Sequence, residues 1–166
     1  GTSVVLLACL GNMVEATPVV SVRRASGEFP VAFKEALAVE LQPLDATGSE
    51  GPWDDAPDRD PFVESAEELL GRDIAFTVHL KWLASPVCQN YSQLWVRYQY
   101  DPGEEGGGKW HGGGVHPGHA ARRRVPLAYS KTHRLHVDRR VLSVVGSGEM
   151  RLEVYGLPRR SPYSPH

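Results

Sequence analysis

Cysteine is almost missing from this chain of 166 residues: Cys9 and Cys88 are the only two. Two thiols cannot make a disulfide framework, and they read as reduced side chains of a cytosolic protein. No apolar run approaches the roughly 18 residues that a membrane-crossing helix needs. The opening run at 4–10 is short and lacks a basic stretch before it, so it does not read as a signal peptide. The chain begins without methionine and already inside that run, so a piece of a longer protein is expected. Charge of one sign is missing too, since 18 Lys plus Arg stand against 20 Asp plus Glu, for a net charge of -2. That balance excludes a polycationic nucleic-acid tail as the whole function. Catalytic signatures are also missing: there is no Gly-x-Ser-x-Gly elbow, no Gly-x4-Gly-Lys-Ser/Thr phosphate loop and no His-Glu-x-x-His. No enzyme is expected.

What is plentiful is glycine (17) and proline (13), which implies long or numerous loops in an otherwise globular composition. Between them, apolar residues recur with period two. Leu37, Val39 and Leu41 alternate with Ala38, Glu40 and Gln42. Ile74, Phe76, Val78, Leu80 and Trp82 alternate with Ala75, Thr77, His79 and Lys81. Leu94, Val96, Tyr98 and Tyr100 alternate with Trp95, Arg97 and Gln99, and Leu135 and Val137 with Arg134 and His136. Met150, Leu152 and Val154 alternate with Arg151, Glu153 and Tyr155, while 4–10 and 19–22 are expected to add strands. One apolar and one polar face per strand predicts an all-β fold, an antiparallel β-sandwich. Helix is scarce. Ser65 with Glu68 three residues on forms a capping box that Gly71 stops, and Asp138 caps a second short helix expected to end at Gly146.

Two segments break the rhythm. Residues 45–64 carry Glu50, Asp54, Asp55, Asp58, Asp60 and Glu64 among glycine and proline, and read as an exposed acidic linker. Residues 101–124 hold two glycine triplets, His111, His116, His119 and the run Arg122, Arg123, Arg124, and read as a flexible Gly/His/Arg loop. Three imidazoles are the minimum for a catalytic zinc. Here they would stand on glycine and proline without a nearby carboxylate to orient them, so no metal and no cofactor is expected. Arg122, Arg123 and Arg124, with Lys131 after them, form a basic stretch that suits an anionic lipid or an acidic partner, or else a solvated face. Calcium is not expected, because residues 84–92 carry no acid and Asp101, Glu104 and Glu105 make only one cluster. Nucleic acid is not expected either. Trp95 falls beside Arg97 on the polar side of its strand: either a loop or the N-terminal strands cover it, or it anchors a partner.

Three stretches carry a likeness to a known family. In 31–71 a strand leads through the acidic linker to Phe62-Val63-Glu64-Ser65-Ala66-Glu67-Glu68-Leu69-Leu70-Gly71. Residues 76–100 end in Leu94-Trp95-Val96-Arg97-Tyr98-Gln99-Tyr100, and 129–156 end in Glu153-Val154-Tyr155-Gly156. In this order they resemble the stalk and tail region downstream of the motor and forkhead-associated domains in kinesin-3 family microtubule motors. Ala66 stands where that family often has proline, and 101–124 is an insertion. The resemblance implies a C2-like β-sandwich over 65–157 with one or two short connecting helices. It implies N-terminal strands (1–44) that complete or pack on that sandwich; the Pro-rich tail (158–166) falls outside the resemblance. It further implies a non-catalytic module for cargo-adaptor binding or motor regulation, in the cytoplasm with the cytoskeleton or in a cilium or flagellum. The ATP, Mg and microtubule contacts of such a motor belong to a motor domain outside this chain. The alternative function is a C2-type domain that binds anionic lipid without calcium. Trp95, Arg97, Arg122, Arg123, Arg124 and Lys131 are the candidate contacts.

Overall fold

The computed structural model describes residues 2–12, 15–22, 36–45, 63–85, 88–100, 108–115 and 124–159. The acidic linker (except 45, 63 and 64), His116, His119, Arg122, Arg123 and tail residues 160–166 lie outside them. The strands are β1 (Thr2–Leu6), β2 (Val19–Ser21), β3 (Ala36–Asp45), β4 (Asp73–Ala84), β5 (Tyr91–Gln99), β6 (His111–Val115), β7 (Arg124–His136) and β8 (Glu149–Pro158). Two short helices, α1 (Ala8–Gly11) and α2 (Arg139–Ser147), accompany them. The strands form two four-stranded antiparallel sheets: sheet A in the order β1-β8-β5-β6 and sheet B in the order β2-β3-β4-β7. This is the all-β sandwich that the period-two pattern predicts. β1 enters sheet A by pairing with β8, and β3 enters sheet B by pairing with β4. Edge strands β6 and β7 approach each other on one side, β1 and β2 on the other.

The apolar faces meet between the sheets. Leu37, Leu41, Ile74, Phe76 and Leu80 from sheet B face Tyr98, Met150 and Leu152 from sheet A, all fully buried. Truncating one of these leucines to alanine is expected to cost about 2–5 kcal/mol. One end is closed by helices. Asp138 Oδ1 accepts from the amides of Arg140 (2.9 Å) and Val141 (2.8 Å), starting α2 as the sequence predicts. Val141 and Val145, one turn apart, are then buried. α2 packs on α1 so closely that a Cβ on Gly11 would lie 3.2 Å from Gly146 Cα. The Ser65/Glu68 capping box is present and opens a 3-10 turn, Ala66–Leu69, with Leu69 buried beneath it.

Four local expectations are corrected. The run at 4–10 is not one strand: β1 stops at Leu6 and α1 follows, because Leu7 and Leu10, three residues apart, both reach the core on one helical face. In β4 the register passes from Leu80 to Trp82 against both neighbours, bulging at Lys81. The bulge resets the alternation, so Leu83 enters the core and Trp82 leaves it. α2 runs past Gly146 to Ser147, and its cap is Gly148, whose amide donates to Val144 O at 2.7 Å. Finally, 101–124 is not one flexible loop. His111–Val115 is β6, paired along β5 from Leu94 to Tyr98.

Candidate functional site

The side chains that alternate away from the core on β5 and β8 meet across the outer surface of sheet A. The register sets Trp95 opposite Tyr155, Arg97 opposite Glu153 and Gln99 opposite Arg151. Trp95 and Tyr155 stack with ring centres 5.5 Å apart and planes 16° from parallel. Arg97 donates from Nε (2.9 Å) and Nη2 (2.7 Å) to Glu153 Oε2. Its guanidinium carbon lies 4.2 Å from the centre of the Trp110 ring and 5.2 Å from that of Tyr155. Arg151 takes the other carboxylate oxygen, Glu153 Oε1, at 2.9 Å, and stands 5.9 Å from the Trp110 ring. The result is one continuous stack: Trp95, Tyr155, Arg97, Trp110, Arg151. An aromatic pair contributes about 0.5–1.5 kcal/mol and each cation–π contact about 0.5–1 kcal/mol at such exposure.

The glycines of β6 follow from this stack. Gly112 and Gly114 pair with Arg97 and Trp95. A Cβ on Gly114 would lie 2.8 Å from Trp95 Nε1, and one on Gly112 only 2.1 Å from Val96 O. Gly113 faces inward, where a Cβ would stand 3.1 Å from the Tyr129 ring. Trp110 and the Gln99 side-chain amide, which donates to Gly108 O, fasten the segment before β6 onto the sheet. The stack thus has a structural role. It also leaves a surface: Tyr155 (46%) and Leu157 (56%) are exposed, as are Val4 (44%) and Leu6 (63%) on β1. One carboxylate serves two guanidiniums there.

The sequence candidates divide among separate places. Trp95 and Arg97 share the sheet A surface, where Tyr155 of the next strand stacks on Trp95. Arg124 lies on sheet B, its guanidinium 4.0 Å from the centre of the Trp82 ring. Lys131 pairs with Val78 in register and is exposed at the β6–β7 seam. Arg122 and Arg123 lie outside the described residues. Tyr155, Glu153, Arg151 and Trp110 were missed as site residues. The outward alternation of the first three was readable, but not the register that sets them beside Trp95 and Arg97.

Beneath the seam, Tyr98 Oη and His133 Nε2 are 2.6 Å apart, a buried hydrogen bond between the sheets whose direction follows the imidazole tautomer. Phe76 stacks on His133 at 5.3 Å and the His111 ring centre lies 4.7 Å from it. Burial, His111 and Lys131 push His133 down to about 4, and burial pushes the Tyr98 phenol up. Burial, Lys131 and Lys109 also lower His111. Neither Cys9 nor Cys88 forms a disulfide. Among the described residues no three His, Cys, Asp or Glu side chains converge as metal ligands, and no helix is long and apolar enough to cross a membrane. The chain matches no protein-family model and no curated protein.

Proposed function

We propose that this sandwich is a non-catalytic interaction module and that the outer surface of sheet A is its contact face. The observation that carries the reading is the stack from Trp95 to Arg151, with Tyr155 and Leu157 exposed beside it and a single carboxylate for two guanidiniums. Aromatic and arginine side chains are the residue types that concentrate binding energy at protein interfaces. The fitting partner is a protein segment that sets an apolar side chain against Tyr155 and Leu157 and a carboxylate against the guanidiniums. The kinesin-3 resemblance places such a module in the stalk or tail of a microtubule motor, where it meets a cargo adaptor or another part of the same motor.

The first test is the parent transcript upstream of Gly1. An in-frame motor domain with a Gly-x4-Gly-Lys-Ser/Thr loop supports the motor context, and a full-length transcript without one removes it. The second test compares proteins retained by the wild-type chain and by a Tyr155→Ser/Leu157→Ser variant whose unfolding curve is unchanged. A partner lost by that variant but kept by Lys131→Ala supports the sheet A face; an identical retained set for all three chains overturns it. The alternative, calcium-independent binding to anionic lipid around Arg122, Arg123 and Arg124, draws on one observation: neither β6 nor β7 contains an acidic residue. Sedimentation with anionic vesicles in chelator tests it, with loss of binding expected when the three arginines become glutamate.

A further inference from the structure

Trp110 and His111 are neighbours in the chain, yet they serve opposite faces of sheet A. Outside, the Trp110 ring centre lies 4.2 Å from the guanidinium carbon of Arg97. Inside, the His111 ring meets His133 at 4.7 Å and Tyr98 at 5.5 Å between ring centres. β6 is thus gripped from two sides at its start, and at its far end Val115 packs against the core. Otherwise its attachment is light. Among the described strands it is an edge of sheet A bonded only to β5, and its three central residues are glycines, which bring little packing and regain the most backbone freedom on release. Elements of this kind open locally while the rest of a fold stays closed.

The inner grip is sensitive to protons by construction. His133 is buried among Phe76 of β4, stacked at 5.3 Å, Tyr100, edge-on at 5.0 Å, Tyr98 of β5, hydrogen-bonded at 2.6 Å, and the His111 ring of β6. Among the described residues, the titratable and charged groups that face the two imidazoles are Tyr98 and Tyr100 from β5 and its end, Lys109 just before β6, and Lys131 on β7; β4 supplies only the Phe76 ring. A charged His133 exchanges water for aromatic carbon and one phenol. Once protonated it can only donate, so a Tyr98 phenol that donates to Nε2 must turn its hydrogen away. A protonated His111 then stands against it as a like charge. Lifting β6 takes the His111 ring away and admits water to both imidazoles, so the open state accepts protons that the closed state resists.

We propose that β6 is an acid-released latch: protonation of the His111/His133 pair frees this strand, and Trp110 with it, from the rest of sheet A. Release dismantles the Trp110 end of the outer stack, so a proton taken up in the interior switches the contact face. That regulatory meaning rests on the contact-face reading; the latch does not. The sign follows from the closed state, where burial first and neighbouring charges second hold both imidazoles below their ordinary 6.5. Opening restores that value, so it is favoured as pH falls below about 6.5, and the gain from His133 is complete near 4.

The test is native-state amide hydrogen exchange of the full chain, in low urea, at steps from pH 7 to pH 4, read as protection factors for β6 against β4. The expected result is a β6 opening that responds little to urea and grows on the order of a hundredfold over that range. The Tyr98→Phe/His133→Leu chain should lose most of this growth; if it does not fold, His133→Gln, which keeps an acceptor for the phenol, serves the same comparison. Trp110→Leu should lower β6 protection about two- to fivefold at every pH, with its slope unchanged, because the outer grip acts on the same opening. Amides of β6 and β4 that exchange together at every pH overturn the proposal, as does a β6 opening that is flat with pH or as steep in the His133 variant as in wild type. A Trp110→Leu chain with wild-type β6 protection overturns the link to the outer face. No partner enters these readouts, so the latch fails or stands separately from the contact-face reading.

Discussion

The two outer faces of the sandwich solve the same problem differently. On sheet B, polar side chains close in pairs: Thr77 with Thr132 at 3.0 Å, His79 with Gln42 at 3.3 Å, Asp73 with His136 at 2.7 Å, and Lys81 with Glu40, which the lysine holds below the usual carboxylate range. Each group has its partner on the neighbouring strand, directly opposite or diagonal in register. On sheet A the contacts run in series. Trp95 rests on Tyr155, Tyr155 borders Arg97, Arg97 stacks on Trp110, and both Arg97 and Arg151 depend on Glu153. A paired face loses one interaction at a time. A serial face depends on its shared members, and its ends stay open to a partner.

The largest expected effect breaks the serial face from beneath. Gly112→Ala would push a Cβ to 2.1 Å from Val96 O and 2.6 Å from Arg97 Cα, so backbone rather than a flexible side chain must move. A loss of roughly 2–3 kcal/mol is expected by urea denaturation. On the other edge strand, Ser130→Ala at an exposed site of β7 should stay within about 0.5 kcal/mol. Equal effects at the two positions would show that β6 carries no special requirement for a bare backbone.

Next comes the interior that both faces cover. His133 sits at about 4 against an ordinary 6.5, so the folded state binds fewer protons than the unfolded chain between those values. Its contribution is fully present above about pH 6.5 and is lost as pH falls toward 4, on the order of 3 kcal/mol in all. Denaturation midpoints measured across that window should show the decline. A Tyr98→Phe/His133→Leu chain, which removes both polar partners together, should lose that part of the slope.

Glu153→Gln then separates the two faces directly. It removes the carboxylate that Arg97 and Arg151 share and should cost about 1 kcal/mol. Glu40→Gln breaks a single pair whose lysine is 51% exposed, and should change stability by less than about 0.5 kcal/mol. Similar losses would mean that sharing the carboxylate adds nothing.

Much of this architecture was readable in advance, for a physical reason. Period-two burial leaves its mark wherever side chains differ in polarity, so β4, β5 and β8 stood out, as did the side-chain caps Ser65 and Asp138. β6 did not, because its pattern is one of omission: glycine alternates with nothing, and the strand exists where Arg97, Trp95 and Tyr129 leave no room for a Cβ. The bulge at Lys81 was equally silent, since it moves Trp82 outward without altering composition. At the site, Trp95 and Arg97 stood out by falling on the polar side of an apolar strand. Their partners depend on cross-strand register, which joins residues 56 apart in the chain at the Arg97–Glu153 pair.

The smallest effect tests what the bulge did. Once Trp82 is turned out of the core, the guanidinium of Arg124 lies over its ring, 4.0 Å from the centre. Removing it with Arg124→Ala should therefore cost no more than about 0.5–1 kcal/mol, the range for one exposed cation–π pair. Arg97→Ala on sheet A breaks two stacking contacts and two hydrogen bonds together and should exceed it. Denaturation of the two variants side by side measures the difference. An Arg124→Ala chain as destabilised as Arg97→Ala would mean that the bulged end of sheet B is held as tightly as the serial face, and that openness rather than strength is what distinguishes sheet A.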